Sequence, residues 1–262
     1  MTISPDVQSI LDAEKTILID SCVISRSGRI GRHTGIAKYL YDIGKYGDID
    51  PAVLEKAVDA SEDTLSIFRN EKLITTSQVV SEYKNFLNIL RTSLRFLNQR
   101  ERNLSRARIK SRDGNKQKGL LEKITDNANK TLRALKASVF SDIDKRVLTL
   151  IVDYLIAIDN AYGVKVDYLN QQDEHHIDNR TDEGLVALSF YLAATENRSN
   201  AVLTTDNDLQ ALVVKFCEML RGDSNPGMSY MAKLLIRSPS RIYLLKSIND
   251  GVVNVVDTSR LL

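Results

Sequence analysis

The chain has 262 residues, 43% of them hydrophobic, with 36 Lys and Arg against 34 Asp and Glu and a formal net charge of +2. That composition can bury one large core, or a core with an appended helical lobe, and it excludes a disordered chain. Two cysteines, Cys22 and Cys217, without CxxC spacing exclude a disulfide framework or a zinc knuckle, and a near-neutral total leaves nucleic-acid attraction to uneven placement of charge. Ile3 to Glu14 reads as a helix opened by Pro5, acidic rather than a basic leader, and no run approaches about 18 apolar residues. A chain soluble in the reducing cytoplasm, with no membrane partner, is expected.

The apolar run Thr16-Ile17-Leu18-Ile19 ends on Asp20 and reads as a strand, followed by a polar loop from Ser25 to Thr34. Gly35 to Tyr46 and Pro51 to Asn70 carry helical periodicity. Leu73 to Thr76 is a short strand, and Ser77 is placed to cap a helix running through Glu82 and Phe86. Val164 to Leu169 reads as a strand, Thr181 as the cap of a helix to about Glu196, and Ala201 to Thr205 as a second strand ending on a carboxylate, Asp206. A helix to Arg221 and strands at Arg241–Leu245 and Val252–Val256 complete the order. Alternating strands and helices predict a three-layer α/β/α fold around a parallel sheet, with core segments 1–84 and 163–262.

The block 85–162 reads as an inserted helical hairpin. Phe86, Leu87, Ile89, Leu90, Leu94 and Leu97 form one apolar stripe, and Leu120, Leu121, Ile124, Leu132, Leu135, Val139, Ile143 and Val147 form another for it to pair with. Between Asn98 and Lys118 lie Arg100, Arg102, Arg106, Arg108, Lys110, Arg112, Lys116 and Lys118 against Glu101 and Asp113, a local charge of +6 that leaves −4 elsewhere. With Asp113-Gly114-Asn115 as a turn, this tip has the charge of a phosphate-contacting arm, although a solvated helix face has the same composition.

Strands that end on Asp20 and Asp206 in a parallel sheet place both carboxylates where such sheets bind ligands. Glu82 lies more than a turn into its helix, too far for the helix dipole to explain it, and beside Val79, Tyr83 and Phe86 at the edge of the apolar stripe. Asp182, Glu183 and Asp208 sit in first helical turns, where acids are ordinary. Gly28, Gly31 and Gly35 lack the Lys-Ser/Thr of a phosphate loop, and the adjacent His175 and His176, beside Asp173, Glu174 and Asp178, are poor converging metal ligands.

Four segments taken together resemble the acidic motifs of PIN-domain nucleases: Ile17-Leu18-Ile19-Asp20-Ser21, Thr75 to Glu82, Asp182 to Ala187, and Val202 to Leu209. The resemblance covers about residues 1–85 and 164–256 and places the family's first aspartate at Asp20, its helix glutamate at Glu82 and its strand-end aspartate at Asp206. Its third acid falls on Glu183 by alignment or on Asp182 by residue type, with Asp208 as a further ligand. Family members commonly carry Asn two residues after the first Asp. Here Cys22 occupies that position, so the hydrogen-bond support of Asp20 is expected to differ, because a thiol does not offer an amide's paired donor and acceptor.

The resemblance implies an endoribonuclease that uses Mg²⁺ or Mn²⁺, hard cations suited to carboxylate oxygens, and leaves a 5′-phosphate and a 3′-hydroxyl. Arg26, Arg29, Arg32 and His33 would hold RNA near the site, and the tip, through Arg100, Arg102, Arg106, Arg108, Lys110 and Arg112, farther out. Two alternatives stand beside it, a silent relative that binds RNA or a protein and a structure-specific DNA nuclease. A homo-oligomer is compatible with each.

Overall fold

The computed structural model describes residues 3–25, 51–69, 72–106, 114–162, 181–222 and 226–262. Five strands form one sheet in the order β2-β1-β3-β4-β5: β1 (Ile17–Ile19), β2 (Leu73–Ile74), β3 (Asn200–Thr204), β4 (Ser240–Ser247) and β5 (Gly251–Asp257). The pairs β1–β2, β1–β3 and β3–β4 are parallel, whereas β5 runs antiparallel to β4. The all-parallel expectation therefore fails at the last strand. The connection from Ser247 to Gly251 is too short for a crossover, and a tight turn can join only antiparallel neighbours. Gly251 makes that turn with φ of 92°, and a Cβ there would stand 2.9 Å from Asp6 Oδ2.

Every residue of β1 and β3 is buried. Successive strand side chains point to opposite faces, so both faces of the sheet centre are covered, which is why these strands read as unbroken apolar runs. From β1 the chain moves outward to β2 on one side and returns to β3 on the other. The carboxyl ends of β1 and β3 thus flank a topological switch point, the crevice at which open α/β sheets bind ligands.

Ten helices lie among the described residues: α1 (Pro5–Ala13), α2 (Ser21–Ser25), α3 (Pro51–Ile67), α4 (Ser77–Arg106), α5 (Gly114–Ala137), α6 (Lys145–Tyr162), α7 (Thr181–Thr195), α8 (Asn207–Gly222), α9 (Pro226–Arg237) and α10 (Thr258–Leu261). The cap of α4 is Thr76 rather than Ser77. Thr76 Oγ1 accepts the Val79 N–H at 3.3 Å, while the Ser77 hydroxyl donates to Gln78 Oε1 at 3.1 Å. Gly114, read as a turn residue, instead opens α5.

The block expected as a two-helix hairpin contains three helices among its described residues. At its middle, Ser138 to Phe140 runs beside Thr75, which donates its N–H to the Ser138 carbonyl at 2.9 Å and accepts the Phe140 N–H at 3.1 Å. Those edge groups need partners, and supplying them ends α5 and starts a new direction for α6. Leu87 and Leu90 of α4, Leu121 and Ile124 of α5, and Leu155 and Ile158 of α6 join one buried cluster with the strands. α7 is buried along most of its length and apolar all round, as a helix inside a core must be, and its Phe190 stacks on Phe216 of α8 at 4.8 Å. The helices α9 and α10 were not anticipated from sequence. The strand expected at Val164–Leu169 and the helix at Gly35–Tyr46 lie outside the described residues.

Candidate active site

Asp20 follows β1 directly and is 2% exposed. Its Oδ1 accepts the Cys22 N–H at 3.3 Å and lies 3.3 Å from the Ser21 hydroxyl, and its Oδ2 accepts the Thr204 hydroxyl and the Cys22 thiol, both at 2.7 Å. Burial, and then the negative charge of Asp20, push the Cys22 thiol well above its ordinary range, so it stays protonated and donates. Its sulfur in turn accepts the Thr205 N–H at 3.1 Å. Cys22 thus does what the sequence reading denied it, acting as donor and acceptor at once. The thiol reaches both partners because β1 and β3 are hydrogen-bonded neighbours whose ends stand side by side.

Thr204 links the two strand ends. Its hydroxyl donates to Asp20 and its oxygen accepts the Asp206 N–H at 3.0 Å. Sequence reasoning passed over Thr204, although a hydroxyl two residues before a strand-end acid is a recognisable local acceptor for a main-chain N–H. The Asp206 carboxylate is half-buried, and its Oδ1 accepts the Asp208 N–H at 3.0 Å, the bond of a helix cap at the start of α8.

Glu82 comes to the same place from α4. The Ser21 hydroxyl is hydrogen-bonded to Glu82 Oε2 and also faces Asp20 Oδ1. One hydroxyl has one proton, so it donates to only one of the two carboxylates at a time. The position of Glu82 follows from its place on the edge of the apolar stripe: Val79, Tyr83 and Phe86 are buried beneath it, and it is itself only half-buried.

Asp182 and Glu183 occupy the first turn of α7, Asp182 half-buried and Glu183 3% exposed. The next residue, Gly184, faces Gln78 on the first turn of α4, with 3.8 Å between a Cβ there and the Gln78 side chain. The start of α7 therefore abuts the start of the helix that carries Glu82. Among the described residues no three His, Cys, Asp or Glu side chains close into a group able to hold a metal ion. Oxygen donors suited to a hard cation are present as the Asp20 and Glu82 carboxylates around one hydroxyl.

Of the expected cationic residues, Arg102 is an exposed position of α4, and Arg100 and Arg106 are positions of the same helix. Arg26, Arg29, Arg32, His33, Arg108, Lys110 and Arg112 lie outside the described residues. Lys116 pairs with Glu55 at 2.8 Å and Lys118 with Glu122 at 3.8 Å, so these two members of the basic tip are partly neutralised. No helix among the described residues is long and apolar enough to cross a membrane. No family model matches the chain, and neither does any curated protein or solved structure.

Proposed function

We propose that the protein is a PIN-like, Mg²⁺- or Mn²⁺-dependent endoribonuclease with its active centre at the carboxyl ends of β1 and β3. The observation that carries this reading is the meeting of Asp20, from a strand end, and Glu82, from a helix face, at the Ser21 hydroxyl beside a topological switch point. Carboxylates that converge on one strand-end crevice are a common feature of functional sites. Asp20, Glu82 and Asp206, with Asp182 or Glu183 and with Asp208, would hold the ion. Once bound, such a cation activates water and stabilises the leaving oxygen in phosphodiester hydrolysis.

The chain's own residues supply the rest. Thr204 and Cys22 fix the plane of the Asp20 carboxylate, Ser21 holds Glu82 against it, and the basic side chains offset the repulsion between acidic crevice and polyanion. The test is cleavage of labelled RNA with Mn²⁺ or Mg²⁺, run beside an equivalent flapped DNA. Asp20→Asn keeps the shape and removes the charge, so cleavage should fall by at least about a hundredfold with RNA binding retained, and EDTA should abolish it. Activity in the mutant or in EDTA would overturn the proposal.

A second reading, a silent relative that binds RNA, draws on one observation. Asp20 already accepts from the Cys22 N–H, the Cys22 thiol and the Thr204 hydroxyl, and Asp206 caps α8, so both have structural uses. Wild-type protein that binds RNA but does not cleave it with either metal would favour that reading.

A further inference from the structure

The two long faces of α5 differ in how their cations are spent. On the side toward α3, Lys116 and Lys123 pair with Glu55 and Glu62, each at 2.8 Å. On the side toward α4, Lys118 pairs only with Glu122 of its own helix, at 3.8 Å, and the other cations pair with no carboxylate among the described residues. Arg91 of α4 donates to the Asn129 side-chain carbonyl of α5 at 3.0 Å, a neutral acceptor that fixes the two helices and leaves the guanidinium charge intact. Around that contact, Lys84, Arg91, Arg95 and Arg102 are spaced seven, four and seven residues apart, within about 40° of one another on α4. Arg133 and Lys136, four and seven residues beyond Asn129, share its face of α5.

All six of these side chains are exposed, and none pairs with a carboxylate among the described residues. Counting Lys118 with them, and Glu122 and Asp126 against them, the groove carries a surplus of five positive charges. Like charges held together in this way repel, so folding alone gives no reason to line them up. From Lys84 to Arg102 the stripe spans 18 residues, roughly 27 Å at about 1.5 Å per residue.

We infer that the groove between α4 and α5 is a phosphate track for double-helical RNA. Charge complementarity sets the partner as a polyanion, and a row about 27 Å long can meet several successive backbone phosphates. The duplex form follows from what the groove lacks. Proteins that hold single strands stack bases on aromatic rings, and no described side chain on this face is aromatic; the exposed Phe96 points away from the stripe on α4. A cationic row without a stacking platform reads backbone, and backbone at fixed spacing is what a duplex presents. Naming this duplex the substrate rests on the nuclease reading; its binding does not.

The experiment therefore separates the two. Fluorescence anisotropy in EDTA, where no metal-dependent cleavage occurs, would compare a labelled RNA duplex of about 16 base pairs with a single strand of the same length, across a series of KCl concentrations. Wild type should bind the duplex more tightly, with a steep salt dependence. Arg91→Gln, Arg95→Gln, Arg133→Gln and Lys136→Gln together should weaken duplex binding at least about tenfold and flatten the log–log salt slope by roughly three to four units. These exposed positions keep good helix formers, so far-UV circular dichroism should match wild type, and loss of the exposed Arg91–Asn129 bond should lower the thermal midpoint only slightly. Unchanged affinity and slope in the quadruple variant would overturn the track while leaving the nuclease reading standing. Equal or tighter binding of the single strand would overturn the duplex assignment, and so would no binding of either. Cleavage failing while duplex binding behaves as described would sink only the nuclease reading.

Discussion

Asp20 and Asp206 each follow a buried parallel strand and each accept a main-chain N–H two residues on, from Cys22 at 3.3 Å and from Asp208 at 3.0 Å. Locally they are the same device, an acid that caps the next helix. Their surroundings differ. Asp20 is buried and takes three side-chain contacts besides, from Ser21, Thr204 and Cys22, whereas the Asp206 carboxylate is half-exposed and has its cap bond alone among the described residues. The difference teaches that a strand-end acid in sequence is a position, and its neighbours decide whether it becomes a clamped anchor or an adaptable arm. A site needs both kinds, one carboxylate held in place and others able to adjust around a ligand.

The sharpest way to break the comparison is to replace the anchor. Asp20→Ala leaves the Cys22 N–H and the Thr204 hydroxyl buried without their acceptor, so the loss should be roughly 2 kcal/mol or more in urea unfolding. A loss well under about 1 kcal/mol would mean that the anchor is not structural. Asp206→Ala should lose only about 1 kcal/mol, the usual value of one helix cap. Asp206→Ser sharpens this further, because serine caps as well as aspartate but holds no charge. Stability should stay within about 0.5 kcal/mol of wild type while metal-dependent cleavage is lost. Retained cleavage would reduce Asp206 to a cap.

The smallest expected effect is a pH dependence set by the two buried thiols. Burial raises the Cys22 thiol well above its ordinary value of 9.0, and the buried Cys217 is pushed up to about 12. The unfolded chain releases these protons near 9 while the folded chain keeps them. Their contribution is therefore complete below that value and is lost as pH rises through the interval toward the folded values. The urea midpoint should fall between about pH 8 and about pH 10, and Cys22→Ser should make the fall shallower. An identical slope in that variant would show that the thiol is not held protonated by its surroundings.

Much of the frame was legible in the residues. The unbroken apolar runs of β1 and β3 marked strands buried on both faces, and their terminal acids marked the crevice. Glu82 stood out because a charge on the edge of an apolar stripe has no local explanation, and in the fold it does reach Asp20 through Ser21. The direction of β5 was not legible, since strand periodicity is the same for parallel and antiparallel pairing and only the length of the preceding turn decides. The break between α5 and α6 was hidden too, because it depends on the edge groups of Thr75, more than sixty residues away in the chain.

The sequence by itself determined the central strands, most of the helices, which acids stand at their ends and that the cations cluster in the helical block, because these follow from periodicity, capping and composition; α9, α10 and the break between α5 and α6 were not among them. Tertiary structure alone decided that Cys22 would serve Asp20, since a thiol becomes a useful donor only when burial keeps it protonated beside an acceptor. It also decided which cations remain available. Lys116 and Lys123 pair with carboxylates of α3, while Arg91, Arg95, Arg133 and Lys136 are exposed and pair with no carboxylate among the described residues. Charge is written in the residue, but its neutralisation is set by distance, and distance between remote segments exists only once the chain has folded.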